Sequence, residues 1–121
     1  MHNVLVVDDD PAIVGTVEGI LEDEGYTVST AANGNQALAE IEQHEPGLVL
    51  LDMRMPVLDG WGFAAELKRR GWRLPIVVMT AAQDARRWAT DIGADGWLAK
   101  PFDLDNLLEI VQQHKATDEH S

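Results

Sequence analysis

The sequence predicts an α/β protein: a single doubly wound (βα)5 domain around a five-stranded parallel sheet. Three short runs, Val4 to Val7, Leu48 to Leu51 and Ile76 to Met79, are apolar at every position. They lack the polar alternation of a sheet with one wet face, so they read as strands covered on both sides. Segments with helical spacing lie between them. No internal repeat, low-complexity tract or linker interrupts the alternation, and β-α repeated five times folds as a parallel sheet with helices on both faces.

The elements run in order along the chain. After the first apolar run, Asp10 and Pro11 read as an N-cap with proline at the first helical position, and Ile13, Val14, Val17, Ile20 and Leu21 form the helix's apolar stripe. Gly25 stops it. Thr27 to Thr30 is polar enough to be an edge strand. A second helix carries Ala37, Leu38 and Ile41 before the central run at 48–51, and a third carries Phe63, Ala64 and Leu67 and stops at Gly71. The run at 76–79 precedes the weakest helical pattern, 83–92, where only Trp88, Ala89 and Ile92 recur. That helix is expected to pack least firmly. Gly93 ends it, Trp97 to Ala99 forms the other edge strand, and Asp103 caps a last helix with Leu104, Leu107, Leu108 and Val111. Residues 1–114 are expected to form the domain, and 115–121 a frayed polar tail.

With three fully apolar runs in the centre and two weaker strands at the edges, the order 2-1-3-4-5 fits, placed by analogy with known sheets of this kind. Ligands of such sheets bind at the carboxyl ends of the strands, at the switch between strands 1 and 3.

Composition narrows the function. A chain of 121 residues can bury about two thirds of the surface it exposes unfolded, so one domain needs no staple. There is no cysteine, which excludes disulfides and thiolate metal sites and makes a reducing cytoplasm the simplest compartment. The start of the chain runs from Met1 into a strand without a basic, hydrophobic leader, and no apolar run approaches a membrane span. A net charge of −12 argues against binding nucleic acid or an anionic membrane surface. It leaves cationic partners, divalent ions or plain solubility.

The residues just beyond the strands are more specific. Asp8, Asp9 and Asp10 come after the first strand, Asp52 after the third, Thr80 after the fourth and Lys100 with Pro101 after the fifth. In a parallel sheet all of these reach one edge. Each alone is an ordinary turn or cap residue, but carboxylates brought within about 4 Å repel by roughly 4 kcal/mol per pair at an effective dielectric near 20. Such a site needs a cation or must hold a proton. Carboxylate oxygens without nearby histidine or cysteine suit Mg²⁺. A carboxylate beside Mg²⁺, a hydroxyl and an ammonium can run phosphoryl transfer. Asp52, alone on the central strand, is then the better nucleophile, and the Asp8–Asp9 pair the better metal holder.

These residues stand in motifs. VVDDDP at 6–11, LLDMRMP at 50–56 with Asp59 and Gly60, MTAA at 79–82 and ADGWLAKPF at 94–102 resemble, in order and spacing, the receiver domains of two-component response regulators. The resemblance covers about residues 3–114. It implies a flavodoxin-like fold, Asp52 as phosphoacceptor, and Mg²⁺ held by Asp9, Asp52 and the backbone carbonyl of Arg54, with Asp8 supporting through water. It implies Thr80 as the switch hydroxyl, Lys100 as the phosphoryl-binding cation and a cis Lys100–Pro101 peptide. A sensor histidine kinase or phosphotransfer protein would be the donor. An effector domain, a protein partner at the α4-β5-α5 face or a second copy would receive the signal. The protein would be a signalling phosphoacceptor and not an enzyme acting on other substrates. Two rival functions are a Mg²⁺-dependent phosphatase or phosphotransferase, and a receiver-like adaptor that works without phosphorylation.

Several positions carry alternatives. Trp97 stands where the family usually has tyrosine or phenylalanine, and either toggles, packs inward or stays outward as a partner contact. Arg54 either overhangs the site, pairing with the phosphoryl group or shielding it from water, or pairs with a nearby acid at the surface. Ala82, two residues after Thr80, is small and leaves that side open. Trp61, Trp72 and Trp88 read as packing residues and not as ligand platforms; Trp88, on the weak helix, is also the one to test as an exposed partner contact of the output face. His2, His44, His114 and His120 fall away from the strand ends and read as solvated.

Overall fold

The computed structural model describes residues 3–114. Its elements are β1 (Asn3–Val7), α1 (Pro11–Asp23), β2 (Thr27–Ala31), α2 (Gly34–Gln43), β3 (Leu48–Asp52), α3 (Gly60–Arg70), β4 (Ile76–Ala81), α4 (Ala82–Ile92), β5 (Gly96–Lys100) and α5 (Leu104–His114). All pairings are parallel and the strand order is β2-β1-β3-β4-β5, as expected. The tail from 115 lies outside the described residues.

Strand parity divides the core in two. Val4, Val6, Leu48, Leu50, Val77, Met79 and Leu98 pack under α1 and α5 with Val17, Leu21, Leu107 and Val111. Leu5, Val7, Val49, Leu51, Ile76 and Val78 pack on the other face with Ala37, Leu38 and Ile41 of α2, Phe63 and Leu67 of α3, and Trp88 and Ala89 of α4. The unbroken apolar runs are therefore the signature of strands with a helix layer on either side.

The helix ends are built from short-range chemistry. Asp10 accepts from the Ala12 N–H at 3.0 Å, Asp59 from Gly62 at 2.8 Å, and Asp103 from Asn106 at 2.8 Å. Asn33 caps α2 by accepting from Gln36 N–H at 2.9 Å, and the Gln36 side chain returns to Ala32 N–H at 2.9 Å. The first bond satisfies a donor that the helix leaves unpaired, and the second ties down the residue just before the cap. Gly71 and Gly93 close α3 and α4 in the left-handed conformation.

Two expectations change. Both edge strands are longer than their polar patterns suggest, because pairing carries β2 to Ala31 opposite Val7 and β5 to Lys100 opposite Ala81. The fourth helix is not loosely packed: Ala85, Trp88 and Ala89 are buried and Ile92 packs against them, a stripe at i, i+3, i+4 and i+7. Small alanines supply half of that stripe, which is why it looked weak. It also begins at Ala82, immediately after β4 ends at Ala81, with no side-chain cap. Trp88 packs, as read with Trp61 and Trp72, and is not an exposed partner contact. It is 7% exposed and turned toward α3, where its ring meets Trp61 edge-on with centroids 4.9 Å apart.

The β3–α3 loop is tied down on both sides. Gly34 N–H donates to the Leu58 carbonyl and Gly60 N–H to the Met53 carbonyl, each at 3.0 Å. Within the loop, Val57 holds φ +72° while 78% exposed, a conformation that costs a non-glycine residue about 1–2 kcal/mol.

The glycines give a paired prediction. A Cβ at Gly34 would sit 2.7 Å from the Leu58 backbone oxygen, whereas one at Gly19, on the exposed side of α1, would meet nothing within 4 Å. Gly34→Ala should destabilise the domain by about 1–3 kcal/mol, and Gly19→Ala should stabilise it by about 0.5–1 kcal/mol. Urea midpoints at constant m-value measure both.

Candidate functional site

The same parity that sorts the core delivers the polar groups. Asp8 continues the phase of Val4 and Val6, Asp52 that of Leu48 and Leu50, and Lys100 that of Leu98. All three emerge on the α1/α5 side of the carboxyl edge. Asp8 is still held to the sheet, since its N–H donates to the Ala31 carbonyl at 3.0 Å. Thr80 reaches the same edge one residue beyond Met79, the register partner of Asp52, but continues the opposite phase, that of Ile76 and Val78.

Asp8, Asp52 and Thr80 are the buried polar residues among those described. Carboxylate oxygens of Asp8, Asp9 and Asp52 lie within 4.8 Å of one another, with Asp9 exposed and the other two buried. One ammonium answers them. Lys100 Nζ donates to Asp8 Oδ2 at 2.7 Å and stands 3.8 Å from Asp52 Oδ1. Asp8 Oδ1 also accepts from the Asp10 N–H at 2.9 Å, and Asp52 Oδ1 accepts a long contact of 3.5 Å from Arg54 N–H.

Asp52 thus has the least direct compensation of the buried pair. Burial, then the charge of Asp8, push its carboxyl from an ordinary 3.8 up to about 6, and Lys100 and the Arg54 N–H only partly pull it back. A pocket of three carboxylates and one ammonium is short of positive charge. Its donors are all hard oxygens, with no nitrogen or sulfur ligand in the group, so the residues present fit a small divalent cation such as Mg²⁺.

The remaining candidates divide. Asp10 serves α1 as its cap. The Lys100–Pro101 peptide is cis. Trp97 is turned outward, 45% exposed. Arg54 makes no ion pair among the described residues; its guanidinium lies over the Trp88 ring, 5.0 Å from the centroid. Trp61 packs against the core, as does Trp72 beneath Arg70. His44 is exposed at the end of α2, whereas His114 is partly buried against Gly96, so only the first fits the solvated reading. His2 and His120 lie outside the described residues. Sequence reasoning missed the Lys100–Asp8 pair and the Arg54–Trp88 stack. The first joins residues 92 apart in the chain, and no local pattern encodes it.

Fold and site together define an acidic, doubly wound α/β domain with a carboxylate-lined, cation-seeking edge. Comparison with known proteins makes this specific: residues 4–112 match the response regulator receiver domain. The chain belongs to that family and is a phosphoacceptor receiver domain of the two-component type. It is 39% identical over 112 residues to the DNA-binding transcriptional regulator NtrC of Salmonella typhimurium, covering 91% of this chain but 24% of NtrC. Among solved structures, Vibrio cholerae chemotaxis protein CheY4 superposes with a TM-score of 0.85 at 34% identity, covering 94% of this chain and 98% of CheY4. The receiver domain of NtrX from Brucella abortus gives 0.83 at 35%, covering 91% and 95%. The chain therefore spans about a quarter of NtrC and nearly all of CheY4. No described helix is long and apolar enough to cross a membrane.

The raised Asp52 carboxyl has a testable consequence. The folded state binds this proton more tightly than the unfolded chain does, so stability is lost as pH rises from about 4 through about 6. With divalent ions chelated, Asp52→Asn should exceed wild type by about 1–2 kcal/mol above pH ~7, a figure discounted for the open mouth of the site. The two proteins should converge near pH 4. Urea unfolding across that range measures the gap, and a gap independent of pH would contradict the assignment.

Proposed function

We propose that Asp52 accepts the phosphoryl group and that Asp9, Asp52 and the Arg54 carbonyl hold Mg²⁺, with Asp8 supporting through water. The observation that carries this reading is the gathering of three carboxylates and one ammonium at the carboxyl edge, with Asp52 buried among them. Bound Mg²⁺ would neutralise charge developing on the transferring group.

The chain's own residues supply the rest. Asp52 is mostly ionised at neutral pH, and its raised basicity suits a nucleophile. One of its oxygens attacks phosphorus, a new P–O bond forms, and the P–N bond of a donor phosphohistidine breaks. The imidazole leaves with the electron pair and takes a proton from solvent. With acetyl phosphate the P–O bond to the acyl group breaks and acetate leaves. Lys100 turns from Asp8 toward the added charge, and the Thr80 hydroxyl donates to a phosphoryl oxygen. Capture at Thr80 and Lys100 biases β4 and β5, and through them the α4-β5-α5 face.

The donor is a sensor histidine kinase or phosphotransfer protein, since neither described histidine of this chain reaches the site edge. Output passes to an effector domain, a separate protein or a second copy, in the cytoplasm. The domain promotes its own phosphorylation and dephosphorylation and acts on no other substrate. The family membership and the full set of acceptor, acid pair, hydroxyl and lysine favour this over a phosphatase or a phosphorylation-independent adaptor.

Incubation with acetyl phosphate and Mg²⁺ should add one phosphoryl group by intact-protein mass spectrometry, with none on Asp52→Ala or in EDTA. Asp9→Asn should slow labelling by at least about tenfold. Equal labelling of Asp52→Ala would place the acceptor elsewhere, and sustained phosphate release from small esters would favour the phosphatase.

A further inference from the structure

We propose that Trp88 is a positioning residue which parks the Arg54 guanidinium beside the site, and that phosphorylation of Asp52 draws Arg54 off the ring. The inference rests on Asp52 being the acceptor. It adds a second cation to the site and a second route from the acceptor to α4.

Four observations lead to it. Arg54 begins next to the acceptor, its N–H 3.5 Å from Asp52 Oδ1. Its guanidinium nonetheless lies over Trp88, in a chain with 21 acidic side chains and with no ion pair for Arg54 among the described residues. Trp88 is not a loose surface ring that would follow Arg54 about; it is 7% exposed in α4 and braced edge-on by Trp61 at the start of α3. Lys100, the other cation of the site, is already engaged by Asp8 at 2.7 Å.

An arginine over a ring face is held by a modest attraction, whereas a phosphoryl group offers paired oxygens and charge-assisted hydrogen bonds to the guanidinium fork. The two positions share one backbone anchor. An aspartyl phosphate two residues away therefore outcompetes the indole, and Arg54 transfers to the phosphoryl oxygens. The departure removes the cation from the Trp88 face and so alters the α3–α4 contact that Trp61 and Trp88 make. Before phosphorylation the same ring restrains Arg54, and weakening the ring's hold should speed capture of an incoming donor.

Two measurements test this. In spectra with the Trp88 indole N–H assigned, beryllofluoride with Mg²⁺ should move that resonance toward its position in unliganded Arg54→Gln, and should barely move it in Arg54→Gln itself. In labelling kinetics with acetyl phosphate, Trp88→Leu should raise the rate about two- to fivefold, the factor a released cation–π contact allows. That gain should vanish when Arg54→Gln is also present. Trp88→Phe, which keeps the packing with a weaker ring face, should give a smaller gain of the same sign. A gain that persists in the double variant, or an indole that ignores beryllofluoride while wild type is labelled, would overturn the proposal. Absence of labelling in wild type would instead overturn the acceptor assignment, and the latch with it.

Discussion

Three carboxylates crowd against one ammonium at the end of the sheet, and much of the molecule answers that imbalance. Buried Asp8 is satisfied by Lys100 and the Asp10 N–H, while Asp52 has a distant ammonium and one long hydrogen bond. Repulsion of this kind is tolerated only where surrounding structure holds the groups in place. Here the restraint comes from the three apolar strands beneath, whose residues are shut between two helix layers.

Parity converts that scaffold into chemistry. In a parallel sheet every second residue faces one layer, so a polar residue added at a strand's carboxyl end inherits its direction from the apolar residues before it. Asp8, Asp52 and Lys100 share one phase and meet. Thr80 has the other phase and leaves the same edge toward the opposite helix layer, where it is buried.

Much of this was legible in the sequence because it is written in short-range signals. Apolar runs gave the covered strands, Asp10 and Asp103 the helix starts, Gly71 and Gly93 the stops, and the residue after each strand identified the edge cluster. Where reading failed, the cause was contact between distant segments or the bulk of a residue standing for its exposure. For Trp88 an exposed alternative stayed open beside the packing reading because its helix is rich in alanine and charge, yet those alanines are small so that α4 can lie close to the sheet with the indole turned under α3. Arg54 read as either a site contact or the partner of a surface acid, and its partner proved to be that same indole. Neither contact has a periodicity to betray it.

The junction between Ala81 and Ala82 has a mechanical meaning. A strand that passes into a helix with no intervening residue leaves no slack, and α4 enters without a side-chain cap to anchor its first turn. Thr80 stands one residue from that junction. A displacement at the end of β4 is delivered to the first turn of the helix, because no loop is present to absorb it by flexing. In this chain the end of β4 and the first turn of α4 are close to being one rigid piece.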